Sequence, residues 1–229
     1  GYRANFSIYD ANDCQDLIAD LMRKHKLPES ISVSQVQVQI SDWKSSFIHT
    51  AQKDENQFSP LQIKIWTVYR EFQETLLAYN AMDFDDLLEN WLELLLKYGE
   101  GLPLKKQLQY ILVDEYQDTN RTQYDLIKLL VTDGKEPQDV EDWSGRSVFV
   151  VGDADQSIYS FRAADFTILM GFQDDFGDQA PDDSTQTMVK LEENYRSTAT
   201  ILEAANALIA NNSERIDTVL RPTRGEGEL

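Results

Sequence analysis

Apolar positions in the first hundred residues recur mostly at helical spacing. Ile65, Tyr69, Phe72, Leu76 and Tyr79 follow one another at alternating steps of four and three, which lines one face of a helix. Asn80-Ala81 interrupts that stripe, and Asp83 is placed to cap a second helix carrying Phe84, Leu87, Leu88, Trp91 and Leu95 until Gly99 stops it. Between Ile31 and Phe47 two patterns compete. Val36, Val38 and Ile40 alternate like a strand, while Val36, Ile40, Trp43 and Phe47 make a helical stripe, and the helical neighbours favour the second.

After Pro103 the texture changes to short continuous apolar runs that end in acids, Tyr110-Ile111-Leu112-Val113-Asp114-Glu115 and Val148-Phe149-Val150-Val151-Gly152-Asp153. Such runs suit strands buried on both faces of a parallel sheet. Between them Asn120 and Gln123 form a capping pair for a helix through Tyr124, Ile127, Leu130 and Val131, so the segment reads as a βαβ unit. A third strand is expected at Met188 to Leu191. Ser197 or Thr198 then caps a last helix bearing Ile201, Ala205, Leu208 and Ile209.

With 229 residues, 41% of them apolar, the chain can build one large or two small cores, which excludes global disorder. Forty acids against 21 bases leave a net charge of −19, whereas a free-standing nucleic-acid binder normally carries a basic face. The acidity is concentrated: thirteen acids and three bases lie between Asp133 and Asp183. The loops at 132–145 and 174–184 are therefore either solvated surface or a contact site for a basic protein partner. Cys14 is the single cysteine, so no internal disulfide forms and a reducing, cytoplasmic setting is expected. No apolar run reaches membrane length and Gly1-Tyr2-Arg3 has no signal-peptide pattern, so no membrane role is expected. A start without methionine suggests an excised piece of something longer.

An Asp-Glu pair at the carboxyl end of an apolar strand is where an α/β sheet presents chemistry to a ligand crevice. Asp114 and Glu115 occupy that position; in nucleotide hydrolysis the first acid can hold Mg2+ and the second can deprotonate the attacking water. The surrounding strings are more specific. Asp114-Glu115-Tyr116-Gln117-Asp118-Thr119, Val151-Gly152-Asp153-Ala154-Asp155-Gln156-Ser157-Ile158-Tyr159-Ser160-Phe161-Arg162 and Leu191-Glu192-Glu193-Asn194-Tyr195-Arg196-Ser197 resemble, in order and spacing, motifs II, III and IV of the superfamily 1 DNA helicases of the UvrD/Rep/PcrA type. Phe6-Ser7-Ile8-Tyr9-Asp10, Ala81-Met82-Asp83-Phe84-Asp85-Asp86-Leu87 and Ala204-Ala205-Asn206 with Ile209-Ala210-Asn211-Asn212 add weaker similarity.

The resemblance implies an α/β fold with a partial RecA-like parallel sheet of the P-loop NTPase type and a mainly helical inserted domain. It divides the chain into 1–107 (the inserted domain), 108–187 (the later part of the first motor domain, with motifs II and III) and 188–229 (the start of the second, with motif IV). It makes Asp114 the Mg2+ carboxylate, assisted by Glu115, and Glu115 the catalytic base. Gln156 becomes the γ-phosphate sensor, Tyr195 the adenine-stacking ring and Arg196 the arginine that neutralises charge on the γ-phosphate. Tyr159, Phe161 and Arg162 become DNA contacts, since aromatic faces stack on bases and arginine holds phosphate. The family usually has Trp where this chain has Phe161 and Gly where it has Ala163. ATP, Mg2+ and single-stranded or tailed duplex DNA are the implied ligands, with translocation in the 3′ to 5′ direction in repair or replication.

No G-x-x-x-x-G-K-[ST] phosphate loop occurs in these residues. The chain is therefore expected to lack ATPase activity alone and to bind DNA poorly. Two other readings stand beside the first: a non-catalytic interaction module derived from a helicase, and a piece of a nuclease-coupled recombination helicase.

Overall fold

The computed structural model describes residues 1–45, 58–99, 107–138, 143–157, 165–180, 184–212, 216 and 218–227. Asp10 opens the first helix, α1 (Ala11–Lys24). Its carboxylate accepts the Asn12 and Asp13 backbone N–H groups at 2.8 and 2.9 Å, and Asp13 returns the bond by accepting the Asp10 N–H at 3.0 Å. The competing patterns after Ile31 resolve as helix, α2 (Val33–Ser45), with Val36, Ile40 and Trp43 inward and Val38 exposed; Phe47 lies outside the described residues. In α3 (Pro60–Ala78), Ser59 and Gln62 cap each other and Pro60 occupies the first turn, where its missing N–H costs nothing.

Ile65, Trp66, Tyr69, Phe72 and Leu76 of α3 meet Ile18 and Leu21 of α1 and Val36, Ile40 and Trp43 of α2 in one core. Trp43 and Trp66 pack edge-on at 5.1 Å between ring centroids. Tyr79, expected on the same stripe, lies one residue past the helix and is exposed. Asn80 then takes a left-handed backbone (φ 53°) and turns the chain into β2 (Ala81–Met82). That strand runs parallel to β1 (Ser7–Ile8), with Ser7 opposite Ala81 and Ile8 opposite Met82, so two segments of weaker family similarity become neighbours.

Asp83 caps α4 (Phe84–Tyr98) as expected. Of the apolar residues the pattern put on that helix, Leu95 is buried, Leu87, Leu88 and Trp91 are half-buried and Phe84 is exposed; Asp86 and Glu89 are buried as well, Asp86 paired with Lys44 of α2. Gly99 follows the helix with right-handed φ and ψ of −52° and −41°, so the helix stops without a left-handed glycine.

The expected βαβ unit is present. β3 (Tyr110–Val113) and β4 (Ser147–Val150) pair in parallel, Tyr110 opposite Ser147 through Val113 opposite Val150, with α5 (Arg121–Thr132) between them and the Asn120–Gln123 capping box at its start. The strands are not buried on both faces. Ile111, Val113, Val148 and Val150 pack on a second core with Tyr124, Ile127, Val131, Trp143 and Phe176. Tyr110 and Leu112 are 72% and 73% exposed, because no described element covers the other face. Two short helices, α6 (Phe166–Met170) and α7 (Phe172–Phe176), complete this core.

The expected strand at Met188 to Leu191 does not form. Val189 and Leu191 are exposed and no described strand pairs with them; the pairing starts later, at β5 (Glu193–Asn194), parallel to β6 (Arg221–Pro222). The last helix, α8 (Ala199–Ile209), follows Thr198, which makes no side-chain cap bond; Leu202 is its buried residue, while Ile201 and Leu208 are exposed. The described residues thus form a mixed α/β structure with three two-stranded parallel sheets.

The two larger bodies are joined through α4 and α5. Leu92 and Leu95 pack on Leu129. Beside them the Thr122 hydroxyl lies 3.0 Å from the Lys44 carbonyl oxygen and 2.9 Å from that of Ser45, fastening the end of α2 to the start of α5.

Candidate functional site

The β3–β4 ladder continues past the ends of both strands. The Val151 N–H donates to the Val113 carbonyl at 2.8 Å, and the Tyr116 N–H donates back to the Val151 carbonyl at 2.9 Å. This brings the turn after β3, which carries Asp114 and Glu115, directly against the turn after β4. Gly152 suits the crossing: a Cβ there would lie 2.9 Å from Gln117 Oε1, 3.2 Å from the Gln117 backbone nitrogen and 3.3 Å from that of Tyr116.

Asp114 and Glu115 are exposed at the carboxyl end of β3. Glu115 adopts a left-handed backbone, φ 51° and ψ 44°, and its N–H donates to Asp114 Oδ1 at 3.0 Å. Immediately afterwards the chain dives inward through a 3-10 turn, Tyr116–Asp118, which buries Tyr116 and Gln117. On the other side Asp153 caps a second 3-10 turn, Ala154–Gln156, by accepting the Asp155 N–H at 3.0 Å.

A continuous set of hydrogen bonds connects the two turns. Gln117 Nε2 donates to Glu115 Oε2 at 2.7 Å, the Asp153 N–H donates to Gln117 Oε1 at 3.0 Å, and Gln156 Nε2 donates to Asp153 Oδ2 at 2.7 Å. Asp114, Glu115 and Gln156, singled out on the sequence, therefore share one constellation. Gln117 and Asp153 are the members that sequence reasoning did not assign. Both stand inside the quoted motif strings, but the bond that joins them spans 36 residues of sequence.

Tyr195 and Arg196 stand elsewhere, on the turn between β5 and α8. The Arg196 and Ser197 N–H groups both donate to Asn194 Oδ1, at 2.9 and 2.8 Å, which fixes the turn and leaves the Tyr195 ring and the Arg196 side chain exposed. Tyr195 OH donates to Glu193 Oε2. Among the described residues no hydrogen bond or ion pair links either residue to Glu115 or Gln156. Asn212 Nδ2 donates to Asp155 Oδ1 at 3.3 Å, which brings the residues after α8 against the β4 turn. Tyr159, Phe161 and Arg162 lie outside the described residues.

Among the described residues of the two loops, three acids are engaged within the chain. Asp133 pairs with Arg146 at 2.6 Å, and Asp175 accepts the Tyr124 hydroxyl at 2.7 Å. Asp178 accepts the Gln186 N–H at 2.8 Å and the Thr185 hydroxyl at 2.7 Å, bonds that hold its carboxyl down at about 2. A cavity of about 110 Å³ lies away from the carboxylate pair, in the helical body, lined by residues including Tyr2, Tyr69, Asp86, Glu89 and Asn90. No described helix is long and apolar enough to cross a membrane.

Paired carboxylates at the carboxyl end of a strand in a parallel βαβ unit stand where sheets of the α/β class present groups to ligands. The chain belongs to the UvrD/REP helicase N-terminal domain family, whose model matches residues 1–177. It is 36% identical over its whole length to the ATP-dependent DNA helicase UvrD1 of Mycobacterium leprae. It is 37% identical over 94% of its length to the ATP-dependent DNA helicase PcrA of Staphylococcus epidermidis, and 36% identical over its whole length to the PcrA of Staphylococcus aureus. The chain spans 29% of the length of the first of these relatives and 27% of the second.

Proposed function

We propose that this chain is the part of an ATP-dependent DNA helicase that activates water for ATP hydrolysis and senses the γ-phosphate. The observation that carries the reading is the hydrogen-bonded constellation of Glu115, Gln117, Asp153 and Gln156 beside Asp114, in a chain that belongs to the helicase family. In this reading residues 108–187 belong to a first RecA-like motor domain, 1–107 to a helical insertion and 188–229 to the start of a second motor domain.

Asp114 and Glu115 suit Mg2+. Both are exposed oxygen donors, and Mg2+ is commonly held by one or two carboxylates together with water and substrate phosphate. Bound there, Mg2+ supplies charge neutralisation for the phosphates. The Glu115 carboxylate takes the proton of the attacking water at one of its oxygens. The Gln156 amide donates to a γ-phosphate oxygen, and its hold on Asp153 transmits the loss of that phosphate to the β4 turn. Arg196 neutralises charge on the transferring group and Tyr195 stacks on the adenine. Tyr159, Phe161 and Arg162 contact single-stranded DNA. A basic protein partner at the loops 132–145 and 174–184 is a further element, tested by deleting 174–184 and measuring partner binding.

The test uses the full-length protein that contains this chain. DNA-stimulated ATP hydrolysis, abolished by Glu115→Gln, and unwinding of duplexes with 3′ tails are the expected results; unwinding only from 5′ tails refutes the polarity. The 229-residue chain alone, which has no phosphate-loop string, is expected to show no ATP turnover. Turnover by that piece, lost in Glu115→Gln, overturns that expectation.

A further inference from the structure

Gln117 is 2% exposed, yet both ends of its amide reach functional segments. Nε2 donates to the Glu115 carboxylate at 2.7 Å and Oε1 accepts the Asp153 N–H at 3.0 Å. A primary amide is the side-chain group suited to this place, because it presents a donor and an acceptor at one terminus. A carboxylate in the same position could only accept, and an apolar side chain could do neither.

Two further features hold the amide where it is. Its own residue lies in the buried half of the 3-10 turn, and the Ser157 hydroxyl donates to the Gln117 backbone carbonyl at 3.4 Å. Gly152 leaves open the space that Oε1 occupies, since a Cβ there would come to 2.9 Å of that oxygen. The amide is thus fixed from the β4 side, and Glu115, on an exposed and left-handed turn, receives its orientation from a buried group.

We infer that Gln117 is a positioning residue: it orients the Glu115 carboxylate toward water and couples that orientation, through Asp153, to the γ-phosphate sensor Gln156. Asp153 is the shared node, its N–H bound to Gln117 and its Oδ2 to Gln156 Nε2. A change in the Gln156 side chain when γ-phosphate leaves therefore reaches Glu115 by two residues and three hydrogen bonds. This rests on the assignment of Glu115 and Gln156 proposed above.

The test measures steady-state ATP hydrolysis by the full-length protein with saturating single-stranded DNA, alongside equilibrium binding of a fluorescent ATP analogue and thermal melting. Gln117→Met removes both hydrogen bonds at similar side-chain length. Gln117→Glu keeps the acceptor toward Asp153 and replaces the donor toward Glu115 by a second carboxylate. Both are expected to lower kcat by about 10- to 100-fold, the scale of a misplaced catalytic group, while the KM for ATP and the affinity for the analogue stay within about twofold. Gly152→Ala, which keeps the Gln117 side chain but presses on Oε1 and on the backbone nitrogens of Gln117 and Tyr116, is expected to lower kcat in the same direction. It also keeps the question open to decision if a Gln117 variant fails to fold.

A kcat within about twofold of the wild type in the folded Gln117 variants and in Gly152→Ala overturns the inference. So does a loss in which kcat, nucleotide affinity and melting temperature fall together, since that is the signature of a packing role. If the wild-type protein hydrolyses ATP and Glu115→Gln abolishes it while Gln117→Met does not, the inference fails and the proposed function stands. If the wild-type protein does not hydrolyse ATP, both fall.

Discussion

Lys44 Nζ lies 2.6 Å from Asp83 Oδ2, and the lysine that makes this contact is 0% exposed. Asp83 uses its other oxygen to cap α4, accepting the Asp86 N–H at 2.8 Å, and Asp86 binds the same ammonium group at 2.8 Å. Burial pulls the lysine toward its neutral form, but Asp83 and Asp86 outweigh it and raise its pKa. Lys44→Met leaves two buried acids without their cation and is expected to cost about 3–5 kcal/mol, read from urea denaturation. Combining it with Asp86→Asn should recover part of that loss, because the remaining burden is the unpaired charge.

Glu89 gives the pH dependence. It is 7% exposed, it borders the cavity of the helical body, and its Oε1 has no hydrogen-bond partner among the described residues. Burial, against the opposing pull of Lys44, raises its pKa from the ordinary 4.5 to about 8. The folded chain then binds this proton more tightly than the unfolded chain, so stability falls as pH rises from 4.5 through 8. Glu89→Gln stays neutral throughout. It should match the wild type at pH 4 and exceed it by roughly 2–4 kcal/mol at pH 9, measured by chemical denaturation across pH.

The Tyr116 hydroxyl is a smaller case of the same physics. The residue is fully buried and its OH has no hydrogen-bond partner among the described residues. Tyr116→Phe removes an uncompensated polar group while keeping the ring against Phe172, and is expected to be neutral or to stabilise by up to about 1 kcal/mol. A loss of more than that in thermal unfolding contradicts the assignment of an unpaired hydroxyl.

Thr122 joins the helical body to the βαβ unit. Thr122→Val preserves the shape and strips the hydrogen bonds to the Lys44 and Ser45 carbonyls. The expected cost is about 1–2 kcal/mol in global unfolding. Hydrogen exchange should also quicken at the last turn of α2 before it quickens at β3.

What could be read from the sequence was what is decided locally. The Asn120–Gln123 box, the Asp83 cap and the apolar runs of β3 and β4 depend on residues within a few positions of one another, and they are where the pattern puts them. The Asp10 cap is equally local, with Asp13 as its partner three residues on. The rest depends on distant partners. Asp86 of α4 is buried against Lys44 of α2, and the neighbour of Ser7 is Ala81. Ile201 and Leu208 lie on α8 as the spacing puts them, and they are exposed because nothing described covers that face. At the site, Asp114, Glu115 and Gln156 were visible as chemistry, whereas Gln117 acquires meaning only when Asp153 lies against it.

The left-handed backbone at Glu115 sets thermodynamic fitness against catalytic use. A residue with a Cβ spends roughly 1–2 kcal/mol to hold φ 51° and ψ 44°, a conformation that glycine takes freely. Replacing Glu115 by Gly relieves that strain but also strips the buried Gln117 amide of the acceptor it reaches at 2.7 Å, so the two effects on stability oppose each other while the carboxylate is lost.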